Sequence, residues 1–253
     1  MINIKTPKQI EKMRKGGEIL RLILVALKTE INPGMAKLDL EKKARELLQQ
    51  YKVKPTFLGY RGYPAVSCIS LNSEIVHGIP DKTVIREGDS VSVDLGIRYA
   101  GLCLDAAFTT VAGKISQKQQ KLLKVTQDAL RSAIENTKAG IHLGDVQEKI
   151  QKTIEKGGFT VVKDLAGHGI GLKPQEEPFI LNFGKAGTGP VLQEGMTLAF
   201  EPMVTTGKGE IVILADGWTI TSSDKAVNAH FEDTVVVGKE KAEPLTGQYK
   251  IKL

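Results

Sequence analysis

The sequence predicts an α+β fold made of two matched halves, and three observations lead there. Helical periodicity occurs in two pairs of segments, cap and turn residues recur at one offset, and short apolar segments follow each helix pair. Gly34 and Gly140 lie 106 residues apart, as do Asp39 and Asp145, while Glu87-Gly88 and Glu194-Gly195, and Asp94 and Glu201, lie 107 apart. Four anchors at nearly one offset argue for a duplication, with pseudo-repeats over about 6–111 and 116–237. Short strands in two similar halves favour an antiparallel or mixed sheet with helices packed on it.

The elements are read in order. Thr6-Pro7 with Gln9 gives an N-cap, a proline at the first helical position and a partner three residues on. Ile10, Met13, Gly17, Leu20, Leu24 and Leu27 then recur at helical spacing, until Asn32-Pro33-Gly34 stops the run. Asp39 reads as the cap of a second helix, which buries Leu40, Ala44, Leu47, Leu48 and Tyr51. Ser116 with Gln119 opens a third helix, ended by Ala139-Gly140, and Asp145 with Glu148 reads as the capping box of a fourth, ended by Gly157-Gly158. Strand segments are expected at 65–71, 90–95, 104–111, 197–200, 211–214 and 231–237.

The 253 residues, 41% of them hydrophobic, suffice for a sizeable core. The net charge of +6 is spread over short runs and aromatics are only 5%, which argues against a nucleic-acid channel as the main function. Cys68 and Cys103 are the two cysteines, so no disulfide framework is expected. The opening MINIKTPKQIEKMRK lacks the apolar core of a signal peptide, and the longest apolar stretch, 19–27, is broken by Arg21 and too short to span a bilayer. A reduced, cytoplasmic setting with no membrane partner is the expectation.

Five residues suggest chemistry. Asp94 sits in VSVDL and Asp105 in LCLDAAF, on either side of an expected turn at 96–101 that would bring them face to face. Aspartate in apolar runs is costly unless paired or metal-bound. His168 lies between glycines in AGHGIG, Glu201 follows TLAF, and Glu232 precedes TVVV. Taken singly, His168 reads also as a histidine satisfied in a turn, and each glutamate also as an edge salt bridge. Together, four carboxylates match the charge of two divalent cations, and the imidazole adds a nitrogen donor. Without cations such a set repels itself and carboxyl pKa values rise. The set suggests a two-metal hydrolase with a bridging hydroxide, its pocket where the halves meet.

The stretches IKTPKQIEKMRKGG, GYRGYPAVSCISLNSEIVHGIP, EGDSVSVDLG with Asp105, AGHGIG, EGMTLAFEPM, DGWTI and FEDTVVV, spanning about residues 4–237, closely resemble the type I methionine aminopeptidases. That resemblance implies the pseudo-two-fold "pita-bread" fold shared with creatinase-like proteins, a single catalytic domain over 1–253, and removal of the N-terminal methionine from nascent chains when the second residue is small. It implies two divalent ions (cobalt, manganese, iron or zinc). Asp94 would hold one, Asp105 and Glu232 would bridge, and His168 and Glu201 would hold the other, with Glu201 also taking a proton. His77 would stand beside the scissile amide, and Tyr60, Tyr63, Cys68 and Trp218 would line the methionine slot. Tyr60 and Tyr63, without the resemblance, read more readily as ordinary packing residues. The short bacterial form, a monomer and contact with the ribosome surface are further expectations of the likeness.

Four substrate-side positions depart from the pattern. Pro174 replaces an aromatic and Gln175 a histidine before Glu176-Glu177, His230 replaces a glutamine, and Asp233 replaces a histidine. Glutamine still donates a hydrogen bond but cannot become a cation. His230 and Glu232, two apart on one strand, would share a face, so His230 is a candidate to compensate, though a histidine that only supports the ligands or the fold is the favoured reading. Ala106 replaces a threonine after the second aspartate. A non-catalytic or altered-specificity peptide-binding member of the fold, and a prolidase or amidinohydrolase, are the alternatives. The first would be expected to lose ligands, which all five positions retain; the second commonly carries a large extra N-terminal domain.

Overall fold

Residues 2–247 are described in the computed structural model, and the first helix begins as its sequence dictates. In α1, Pro7–Glu30, the Thr6 hydroxyl accepts the Gln9 N–H at 3.3 Å and Gln9 Oε1 accepts the Thr6 N–H at 2.8 Å. Its buried line of Met13, Leu20, Leu24 and Leu27 packs on the main sheet. Each of these side chains contributes about 1.5–3 kcal/mol by leaving water. Helices α2, Lys37–Gln50, α3, Gln117–Glu135, and α4, Leu143–Lys156, follow.

The starts of α2 and α4 correct the expected caps. Each helix begins three residues earlier, after Ala36 and His142. Asp39 and Asp145 are third residues of their helices and reach back, accepting the Ala36 N–H at 3.1 Å and the His142 N–H at 2.9 Å. An aspartate at this place satisfies an orphan donor and suits the positive helix end, so it imitates a cap in sequence.

The duplication extends to individual bonds. Gly34 donates to the Ile85 carbonyl at 2.8 Å, and Gly140 to the Leu192 carbonyl at 2.8 Å. Lys37 donates to Thr83 at 3.0 Å, and Leu143 to Pro190 at 2.9 Å. Gly88 and Gly195, both at φ 85°, donate to Ala112 at 2.8 Å and Val237 at 2.9 Å.

Among the described residues the main sheet has nine strands, and every recorded pairing in it is antiparallel. Its path runs Lys54–Pro55, Ser90–Tyr99, Leu102–Val111, Glu232–Val236, Thr197–Phe200, Ala166–Gly169, Glu176–Leu181, with Cys68–Leu71 on Ser90–Tyr99 and Glu243–Pro244 on Glu232–Val236. The halves meet where Leu102–Val111 pairs with Glu232–Val236, through Glu232↔Ala107 and Asp233↔Ala106. Strands Glu74–Val76, Ala166–Gly169, Glu176–Leu181, Met203–Thr205, Ile220–Ser222 and Asn228–His230 join the expected ones.

The central hairpin is tighter than expected. Its turn is Ala100-Gly101 alone, at φ 48° and 87°, and both strands run on to meet it. Positive φ at both central residues gives the turn the twist that hairpin strands need. The basic ending 238–253 supplies a peripheral strand at Glu243–Pro244, and its last six residues lie outside the described ones.

Candidate metal centre

Sheet register assembles the acidic residues. Asp94 stands opposite Ala107, and Ala107 opposite Glu232, across three adjacent strands. Directly opposed residues share a face, as do residues two apart along a strand, so Asp94, Asp105, Ala107 and Glu232 all face one side. The hairpin therefore sets Asp94 and Asp105 diagonally, Asp105 opposing Gly96, rather than directly face to face. Their carboxyls still lie close enough for the Asp94 charge to push the Asp105 pKa up. The Ala107 methyl keeps the floor low between Asp94 and Glu232. From the other half, His168 opposes Ala199, and Glu201 follows Thr197–Phe200 on the face of Ala199.

The ligand atoms of Asp105, His168 and Glu232 lie within 4.8 Å of one another, and all three residues are buried. His168 Nδ1 donates to the Gly169 carbonyl at 3.0 Å, which leaves Nε2 as the lone-pair nitrogen, 3.5 Å from Glu201 Oε1. Burial holds His168 neutral, its pKa lowered to about 4. Burial also lifts Asp94 to about 7. It pushes Asp105, Glu201 and Glu232 well above the ordinary carboxyl range, and mutual repulsion adds to each. Asp94 Oδ1 and Glu232 Oε1 are buried without a hydrogen-bond partner. Buried oxygens are seldom left so. Partnerless oxygens, a neutral imidazole and crowded carboxyls fit a cation site and little else.

An aromatic slot opens beside this cluster, in a cleft of about 850 Å³ counted to its mouth. Tyr63 and Trp218 meet edge to face with ring centres 5.1 Å apart, and His77 and Trp218 at 6.2 Å. Tyr63 is fixed by its hydroxyl, 3.2 Å from the Ser67 carbonyl and 3.1 Å from that of Gly78. Cys68 opposes Asp94 on the adjoining strand, and burial pushes its thiol pKa well up. His77 holds φ 59°, a left-handed conformation rare for a residue with a Cβ, and burial lowers its pKa. Tyr60 Oη donates to Gln175 Oε1 at 3.4 Å, and Pro174 and Gln175 line the opposite rim.

The departing residues fall on two faces. His230 is not on Glu232's strand: the ladder breaks at Phe231, and His230 pairs with Met203 in a separate three-stranded sheet. Its Nε2 nonetheless lies 3.7 Å from Glu201 Oε2, with burial lowering its pKa to about 3. Asp233 and Ala106 oppose each other on the face away from the cluster, where Asp233 accepts from the Thr246 hydroxyl at 2.6 Å. A hydroxyl at position 106 would therefore meet Asp233 rather than the cluster.

Sequence reading missed several positioners. Thr234 Oγ1 donates to the Asp105 carbonyl at 2.7 Å and accepts the Asp105 N–H at 3.0 Å, joining the halves beneath the site. Asn182 donates to the Glu201 carbonyl at 3.0 Å. Phe57, Val76, Leu165 and Met203 complete the cleft wall.

Comparison with known proteins agrees with this geometry. The model of metallopeptidase family M24 matches residues 11–239. A methionine aminopeptidase of Clostridium perfringens is 40% identical over 97% of this chain and 99% of its own length. The crystal structure of a methionine aminopeptidase from Thermotoga maritima is 46% identical, with a TM-score of 0.95 over 97% of this chain and 99% of that one. A prolidase from Pyrococcus furiosus is 26% identical, with a TM-score of 0.79 over 99% of this chain but 66% of its own.

Proposed function

The chain belongs to the type I methionine aminopeptidases of metallopeptidase family M24, and on that premise we propose that Asp94, Asp105, His168, Glu201 and Glu232 hold two divalent ions at the join of its halves. It is a metal-dependent exopeptidase that acts on peptide N-termini. What supports the pair of ions is the cluster itself: two buried and two half-buried carboxyls and a neutral histidine, with partnerless oxygens on both Asp94 and Glu232. An oxygen-rich set with one nitrogen suits cobalt, manganese, iron or zinc. Two ions held by these residues would supply an activated water at neutral pH and a Lewis acid for the scissile carbonyl.

The residues divide the remaining work. Glu201 takes the water's proton on a carboxylate oxygen and returns it to the departing amine. His77, held neutral by burial, donates its N–H to the substrate amide without bringing a charge. Gln175 engages Tyr60 through Oε1, which leaves its amide N–H groups to hold the substrate carbonyl. Tyr60, Tyr63, Cys68 and Trp218 wall an aromatic slot that suits a thioether.

We read residues 1–253 as one catalytic domain, with pseudo-repeats over about 6–111 and 116–237. We read it as a cytoplasmic monomer; no helix among the described residues is long and apolar enough to cross a membrane. The charge of +6 favours approach to the ribosome surface, where nascent N-termini emerge. Methionine release from Met-Ala-Ser, against Leu- and Pro-starting peptides, tests the reading for each metal. No release under any of the four metals, with the ions bound, would refute it.

A further inference from the structure

Strand Glu176–Leu181 ends the main sheet, and its outward row is Glu177, Phe179 and Leu181. Phe179 is 64% exposed and Leu181 36%, whereas Ile180 between them is buried in the core. Register sets Phe179 opposite His168 and Leu181 opposite Ala166. Opposed residues on neighbouring strands share a face. His168 belongs to the acidic cluster and Ala166 lines the cleft, so the two exposed side chains continue the cleft floor out to its edge. Large apolar side chains on an exposed edge strand invite unwanted pairing unless something covers them.

We propose that Phe179 and Leu181 form a subsite for an apolar third residue of the substrate peptide. The inference rests on the aminopeptidase reading above. A peptide with methionine in the slot between Tyr63 and Trp218 passes its first peptide bond over the carboxylates. Each later residue of an extended chain advances about 3.3 Å, and neighbouring strands lie about 4.8 Å apart. The row one strand beyond His168 therefore falls beneath the third residue. Glu177, exposed in the same row, sets a carboxylate beside it, which disfavours an acidic third residue. A second copy of the chain, pairing edge to edge along 176–181, is the competing occupant.

The test compares kcat/KM of the metal-loaded enzyme for Met-Ala-Leu-Ser, Met-Ala-Ser-Ser and Met-Ala-Asp-Ser. Leucine should exceed serine by about three- to tenfold, through KM rather than kcat, with aspartate lowest. The leucine-to-serine ratio should fall to about one in Phe179→Ser, persist in Phe179→Leu, and be unchanged in Leu22→Ser, an exposed leucine on α1. Equal values for leucine and serine in the parent enzyme, or a preference that survives Phe179→Ser, overturns the proposal. So does a dimer in sedimentation that Phe179→Ser abolishes while no third-residue preference is seen. Release of methionine without preference sinks this inference alone; no release from any of the three peptides sinks the aminopeptidase reading with it.

Discussion

Gln175 sits on the cleft rim with its carbonyl oxygen 3.4 Å from the Tyr60 hydroxyl, and an imidazolium there would stabilise developing negative charge better than an amide. Gln175→His should raise kcat for Met-Ala-Ser about ten- to a hundredfold with little change in KM, because the gain arises mainly in the transition state. Steady-state kinetics check it. Titration of the acidic cluster gives a second expectation. Folded Asp94 binds its proton up to about pH 7 and its neighbours are raised well above the ordinary range, while unfolded carboxyls lose theirs near pH 4. The metal-free folded state therefore holds more protons, and its stability from these groups, complete below about pH 4, is lost as the pH rises through 7. His168 and His230, depressed to about 4 and 3, act oppositely, but only below about pH 6.5, where unfolded histidine protonates. Between about pH 7 and 8 the carboxyls act alone, so the Tm of EDTA-treated protein should fall with rising pH, and added manganese should restore more at pH 8 than at pH 7. A Tm that climbs with pH in that window would contradict the buried cluster. The five acid and imidazole positions were legible because carboxylates inside apolar runs need a reason to be there. Thr234 and Asn182 were not, since a threonine in a strand and an asparagine at its end look ordinary until the chain is folded.

Helices and turns were legible wherever their signal is local. Thr6 with Gln9 and Ser116 with Gln119 cap α1 and α3 as read. Asp39 and Asp145 misled because the same carboxylate serves equally as a cap or as a third residue reaching back. The strand at Glu176–Leu181 was hidden by Pro178, which excludes a central strand but not the edge strand it occupies. His230's position was misread for a tertiary reason, the break at Phe231 that sends it into another sheet. The paired turns at Gly88 and Gly195 offer an internal control on backbone strain. Both hold φ 85°, so a side chain is strained at either. A Cβ at position 88 meets only the Lys114 carbonyl at 4.0 Å, whereas at 195 it comes within 2.9 Å of Ile4 Cγ2 and of the Lys5 carbonyl. Gly88→Ala should cost about 1 kcal/mol and Gly195→Ala roughly 2–3 kcal/mol. Urea denaturation of the two variants measures the difference, and equal costs would refute the steric account.

At the scale of the whole molecule, the N-terminal segment reaches across to the second half. Lys5 Nζ lies 2.6 Å from Glu176 Oε2, both side chains nearly inaccessible, and the pair anchors the strand next to Gln175. Lys5→Met leaves that carboxylate only the Lys173 N–H at 2.9 Å and the Asn3 amide at 3.3 Å, and should cost roughly 1–2 kcal/mol, read from the urea midpoint at constant slope. Distant contacts of this sort are invisible to periodicity, which is why the sequence indicated two halves and a shared pocket but not how they are tied. Within the sheet the seam is two opposed residue pairs, Glu232↔Ala107 and Asp233↔Ala106, with Thr234 bonded to Asp105 beside them. Cations held by Asp94 and Asp105 from one side and by Glu201 and His168 from the other would act as rivets across it. A chain severed near residue 114 would yield two fragments, each with an incomplete set of ligands, so that reunion of the fragments and capture of the ions would be a single event.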